Sequence, residues 1–260
     1  MQATHLGSGI ILFKNAFNVD SNFFSSFMER MYENSPPTIY GLANDDPTVK
    51  NNGGYEFNSE SLKSLPIRHT NTLYQGISDD DKEFVQLLED SIYKCLVEYC
   101  KSFPVVMETV TWRTRGYFIE YHEGMSIGSH SDCAIAYEPN SFAEINTFPI
   151  HNTLTSSLVL NDDYEGGEIG FAPWGISIKP PKGSILIYPS SFIGCHSVAP
   201  LESGVRFAYL SWFAHGLTSH LDINSQSTSM DAQYSWMRKL REDVGYAYQK
   251  QVYVGDLSNP

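Results

Sequence analysis

Residues 154–188 read LTSSLVLNDDYEGGEIGFAPWGISIKPPKGSILIY, and the fold is decided there. Short apolar runs at 154–161, 168–172, 176–179 and 184–188 alternate with clusters of Asn, Asp, Gly and Pro. That is the pattern of strands separated by turns. A parallel connection needs a crossover of about a dozen residues, usually a helix. These gaps hold no such crossover, so the strands must pair antiparallel. An antiparallel sandwich or barrel is expected rather than an α/β sheet. Outward from this stretch, period-two runs at 113–121 and 205–213 add further strands.

Beyond the strands the apolar period changes to three and four. Asp20 and Ser21 offer N-caps for a helix carrying Phe23, Phe24, Phe27, Met28 and Met31. Ser78-Asp79-Asp80-Asp81 caps a second helix, with Phe84, Leu88, Ile92, Leu96, Tyr99 and Phe103 as its apolar positions. Acids in its first turn and Lys101 near its last complement the helix dipole. Ile10–Phe13 reads as a short strand. A final helix is expected at roughly 230–250, with Tyr234, Met237, Leu240, Val244 and Tyr248 inward. Residues 35–66 read as a long loop, and 133–153 as an insertion over one end of the strands. Long loops in compact domains are usually functional, so both are candidates for a substrate-facing lid. The expected organisation is an N-terminal helical and loop extension (1–104), a strand-rich core (105–216) and a C-terminal linker and helix (217–260), packed as one unit.

Composition narrows the partners. At 42% hydrophobic and 13% aromatic, the chain can bury a large core. Its 17 basic and 30 acidic residues give a net charge of −13, which argues against nucleic acid and anionic membrane surfaces. No apolar stretch reaches the roughly 18 residues of a membrane span, and Gly9–Phe13 is too short for a signal-peptide core. Four cysteines without a CxxC spacing do not make a disulfide framework. A soluble, cytoplasmic protein is expected.

Chemistry enters at His130-Ser131-Asp132. Residues two apart in a strand project to one face, so this spacing aims an imidazole and a carboxylate at one point. With a further histidine they would form a 2-His-1-carboxylate triad, which leaves open positions on Fe(II). His220-Leu221-Asp222 repeats the spacing, but no histidine follows it. His196, between two candidate strands, is the best third ligand. Arg206 supplies a second feature. Between residues 116 and 237 the only fixed cations are Lys179, Lys182 and Arg206. Arg206 lies in VRFAYLSWF, apolar on both faces, so its guanidinium is expected to be buried and to need an anionic partner. A bidentate carboxylate suits its fork. An ion pair with a local acid accounts for Arg206 equally well from sequence.

Several separated blocks then fall into one order: Tyr121-x-x-Gly124-x5-His130-x-Asp132; Leu160-Asn161-Asp162-Asp163-Tyr164-Glu165-Gly166-Gly167-Glu168; Gly183-x4-Tyr188-Pro189-Ser190-x5-His196-x-Val198-x-Pro200; Gly204-x-Arg206-Phe207; and Trp212-Phe213. This order resembles the iron(II)/2-oxoglutarate-dependent dioxygenases of the prolyl 4-hydroxylase type, over roughly 113–214. The resemblance implies a mainly β fold, a double-stranded β-helix (jelly-roll) core with helices on its outer sheet. It implies Fe(II) on His130, Asp132 and His196, and 2-oxoglutarate held through its distal carboxylate by Arg206. Tyr121 would line the cosubstrate pocket, although an ordinary core tyrosine is as good a reading. O2 is the co-reactant and ascorbate a candidate reductant. The implied reaction is hydroxylation of an unactivated C–H bond, first of a prolyl residue in a peptide or protein, second of a free amino acid or small metabolite.

Departures from the family pattern narrow it. Leu210 stands where relatives often place a hydroxyl for the distal carboxylate, and Thr155, Ser157 and Tyr117 are the substitutes to consider. The second arginine of the nucleic-acid demethylases is missing. Cys133 and Cys195 are expected to point away from the metal. The rivals are a non-catalytic jelly-roll binding module and a cupin-type metal protein, which would use more histidines.

Overall fold

The computed structural model describes residues 1–34, 38–39, 62–65, 78–113, 117–133, 151–215 and 230–245. A hairpin of β1 (Gln2–Gly7) and β2 (Ile10–Lys14) leads into α1 (Ser21–Asn34). Two short strands, β3 (Thr38–Ile39) and β4 (Leu62–Leu65), precede the long helix α2 (Asp79–Ser102). Next come β5 (Trp112–Arg113), β6 (Tyr117–Tyr121), β7 (Ile127–His130) and β8 (His151–Val159). They are followed by β9 (Glu165–Gly166), β10 (Ile169–Phe171), β11 (Ile176–Ile178) and β12 (Ile185–Pro189). The last strands are β13 (His196–Val198), β14 (Leu201–Ser203) and β15 (Arg206–His215), and α3 (Met230–Val244) follows them.

The pairings form two main antiparallel sheets. The larger runs β1-β2-β12-β8-β15-β6-β4-β3 with β5 on β15, the smaller β11-β10-β13-β7, and β14 pairs separately with β9. This is the double-stranded β-helix expected. The larger sheet is buried on both faces, and strand parity sorts its side chains. Ile11, Phe13, Ile185 and Ile187 join the core under the helices. Their neighbours Ile10, Leu12, Leu186 and Tyr188 meet Ile169 and Phe171 of the smaller sheet. A strand covered on both sides reads as a continuous apolar run, and β2 and β12 do.

The helices cover the outer face through aromatic contacts. Phe27 of α1 lies 4.9 Å from Phe84 of α2 and 5.2 Å from Phe118 of β6, centroid to centroid. Ser78 and Asp81 cap α2 reciprocally, each side chain accepting the other's backbone N–H. Asp81 also receives Arg30, which ties α1 to α2. Among the described residues no helix is long and apolar enough to cross a membrane.

Several expectations need correcting. Residues 35–66 are not all loop, because β3 and β4 fall inside them and β4 extends the sheet beside β6. The final helix ends at Val244, so Tyr248 lies outside the described residues, as do 134–150, His220 and Asp222. β1, β7, β13 and β14 were not anticipated. The last three span only three or four residues, too short for a period to register.

Candidate metal centre

β7 and β13 pair so that His130 stands opposite His196, with ring centroids 4.3 Å apart. The strand carrying His130 stops there, and Asp132 sits in the turn that follows. The same-face argument for His130 and Asp132 therefore does not hold as stated, because the turn, not a continuing strand, brings the carboxylate round. Asn152 Nδ2 donates to Asp132 O at 2.9 Å, and Cys133 N donates to Ser190 O at 2.9 Å, which fixes that turn. One ligating atom from each of His130, Asp132 and His196 lies within 4.8 Å of the others. No other such cluster occurs among the described residues.

Each imidazole is oriented by a carbonyl two residues upstream. His130 Nδ1 is 2.9 Å from Gly128 O, and His196 Nδ1 is 3.0 Å from Gly194 O. A carbonyl only accepts, so both Nδ1 atoms carry a proton; with the rings neutral, as a metal requires, both Nε2 atoms present a lone pair. Gly194 has no substitute here, since a Cβ would lie 1.8 Å from Pro189 O. Asp132 accepts at Oδ2 from Thr155 Oγ1 (2.6 Å) and Tyr188 Oη (3.2 Å), while its Oδ1 lies 3.4 Å from His130 Nε2. Tyr188 Oη is also 3.1 Å from His196 Nε2.

The electrostatics follow. Burial works to raise the Asp132 pKa, but the hydrogen bond with His130, the charge of His196 and the Thr155 hydroxyl outweigh it, and the carboxylate is pulled down to about 2. Burial lowers His196, helped by His130 and Arg206 and opposed by Asp132, with a net shift downward. For His130 the burial penalty is overcome by Asp132, and its pKa is raised. An ionised carboxylate between two imidazoles is a ready divalent-metal donor set.

Arg206 is buried, 2% exposed, at the start of β15 opposite Tyr121 of β6. Its guanidinium carbon lies 4.9 Å from the centroid of the Tyr121 ring. Its Nε is buried without a hydrogen-bond partner, and no ion pair to it occurs among the described residues. The other two cations of this region are engaged: Lys179 with Tyr164 O and Glu165, Lys182 with Ser21 Oγ. The local ion pair weighed from sequence is thus absent among the described residues.

Two residues at this centre escaped the sequence reading. From sequence Thr155 is a candidate cosubstrate hydroxyl, yet in the structure it serves Asp132; Tyr188 stands in the sequence only as part of a motif. Strand parity was the available signal. Thr155 alternates on β8 with Leu154 and Leu158, which face the helices, so it faces the other sheet. Cys195 and Cys133 Sγ contact Ser129 and Ser131 Oγ at 3.1 and 3.7 Å, in keeping with thiols turned from the metal.

Among the described residues, a double-stranded β-helix thus brings together two histidines, one carboxylate and a buried arginine with no ion pair, a donor set of the kind that holds mononuclear Fe(II). Residues 116–214 match the model of the 2OG-Fe(II) oxygenase superfamily. The matched family implies Fe(II), 2-oxoglutarate and O2, and the cluster of His130, Asp132 and His196 lies inside the matched residues. A PKHD-type hydroxylase from Burkholderia ambifaria is 34% identical over 97 residues, 36% of this chain and 40% of that protein. Another from Acidovorax ebreus is 30% identical over 140 residues, 52% of this chain and 57% of that protein. The matches thus span less than two thirds of these relatives. In fold, the chain is similar to a prolyl hydroxylase from Trichoplax adhaerens solved with a hypoxia inducible factor peptide. The TM-score is 0.52 at 16% identity, covering 84% of this chain and 88% of that one.

Proposed function

We propose that this protein is an Fe(II)- and 2-oxoglutarate-dependent hydroxylase of unactivated C–H bonds, with a prolyl residue in a peptide or protein as its substrate class. The observation that carries this reading is the convergence of His130, Asp132 and His196 near a buried arginine that, among the described residues, has no ion pair with an acid. The three would hold Fe(II), which when bound couples O2 and the oxidative decarboxylation of 2-oxoglutarate to hydroxylation, with succinate and CO2 released. Arg206 anchors the distal carboxylate of the cosubstrate, and Tyr121 holds the guanidinium in place by packing against it. His196 and Tyr188 are buried and keep bulk water from the donor set.

The hydroxylase reading draws on the PKHD-type relatives, and the preference for a peptide on one feature of this surface. The turn leading into His196 bears Phe192, 80% exposed, and its Ile193 carbonyl accepts from Nε1 of the half-exposed Trp174 at 2.7 Å. An apolar rim of this kind suits a peptide better than a small polar metabolite. Ascorbate is the proposed reductant. The cytoplasm is the proposed site of action, in line with four free cysteines.

With Fe(II), the protein is expected to release succinate from 2-oxoglutarate slowly alone and faster with a proline-containing peptide. Stimulation by free amino acids instead would move the substrate class to small metabolites. Failure to release succinate under any condition, with Fe(II) bound, would defeat the proposal.

A further inference from the structure

We infer that Thr155, assisted by Tyr188, is a positioning residue that commits Asp132 to the metal through a single oxygen. The inference rests on the metal-ligand reading above. Both hydroxyls donate to the same atom, Asp132 Oδ2, at 2.6 and 3.2 Å, while Oδ1 faces His130. Thr155 is itself fully buried and held from behind by Ser190 Oγ at 2.9 Å. Its χ1 is stiff because it is β-branched, so the hydroxyl cannot easily turn away. Tyr188 Oη, which donates to Asp132 Oδ2, also lies 3.1 Å from His196 Nε2 and so stands between two of the three proposed ligands.

The consequence lies in the count of open positions. A 2-His-1-carboxylate site leaves three of six octahedral positions free only when the carboxylate binds through one oxygen. Two-oxygen binding would leave two, filled by a bidentate cosubstrate with none left for O2. The hydroxyls occupy Oδ2 with hydrogen bonds, and a second metal bond there would have to break the shorter of them. Partners of this kind are worth about 10- to 100-fold in metal affinity when removed.

The test uses the full chain titrated with Mn(II) and Co(II), with melting temperature measured on the same samples without metal. Thr155→Val keeps the shape and removes the donor; it is expected to weaken metal affinity by about 10- to 100-fold. Thr155→Ser restores the donor and should recover affinity to within about threefold of the parent, although it loses the methyl packing. Tyr188→Phe should show a smaller loss, in keeping with its longer hydrogen bond. If Thr155→Val binds metal like the parent while only its melting temperature changes, Thr155 is a packing residue and the inference fails. His196→Ala is the control. If it also binds metal normally, the ligand assignment itself is wrong, a separate failure from that of the clamp.

Discussion

The two faces of the larger sheet, built from the same strands, are put to different use. The outer face meets α1 and α2 through Phe24, Phe27, Phe84, Phe118 and Tyr209, where burial and ring contacts supply cohesion. The inner face, at the end toward β7 and β13, gathers Thr155, Tyr188, Ser190 and Asp132 around the imidazoles, and Arg206 further along. Apolar burial stabilises the fold at about 25 cal/mol per Å². Buried polar groups gain little net and are costly when unpaired. Stability is thus concentrated on the helix side, while the sheet-to-sheet side accepts polar groups for the sake of a site. Residues on the outer face should therefore govern melting, and those on the inner face ligand binding.

The sharpest break between the two would come from Asp132→Ala or His196→Ala, which are expected to abolish metal binding and turnover with little loss of melting temperature. His220→Ala should leave both intact. Metal titration and succinate release report the outcome; iron lost from the His220 variant but retained by the other two would reverse the assignment.

Phe118→Ala tests the opposite face. Truncating a buried phenylalanine typically costs about 3–5 kcal/mol. At about 2–4 °C per kcal/mol for a chain approaching this size, melting should fall by roughly 6–20 °C. Cosubstrate affinity of the folded fraction should stay unchanged. A loss of affinity as large as the loss of stability would show that the two faces are not separable.

Arg206→Gln should do the reverse. Truncating one partner of a buried charge pair costs about 2–5 kcal/mol, which is roughly 30-fold to a few thousand-fold in 2-oxoglutarate affinity. Arg206→Lys should recover only part, since an ammonium cannot reproduce the planar fork. A fall in melting temperature with affinity shifted by less than about threefold would make Arg206 scaffold.

The smallest effect concerns pH on the helix side. Burial acts to raise Asp81, but Arg30 and Ser78 outweigh it and hold its carboxyl below the usual aspartate value. Its folded pKa is thus depressed below the unfolded value of about 3.9. The stabilisation is fully present above that value and is lost as pH falls through the folded pKa. Asp81→Asn should flatten the acid limb of the stability curve below about pH 4; an unchanged limb would remove Asp81 from the account.

Much of this division could be read from the chain. The caps at Asp20 and Ser78, the aromatic stripe of α1 and the alternation in residues 154–188 are local patterns, and each reappears in the structure. His130, Asp132 and His196 could be proposed because their order and intervals survive in one dimension. What stayed out of reach was short or distant. β7 and β13 have too few residues to show a period, yet their pairing sets one imidazole against the other.

By itself, then, the sequence determined the antiparallel architecture, the helices that cover it and the residues able to hold a metal, because periodicity, capping and side-chain chemistry are local properties. Only the tertiary structure decided that Asp132 is brought round by a turn, that Thr155 and Tyr188 reach it from 23 and 56 residues away, and that Arg206 is buried without an acid beside it among the described residues. Those outcomes depend on strand register. A one-residue slip would turn Thr155 toward the helices and leave Asp132 without its donor, while leaving every local pattern in the chain unchanged.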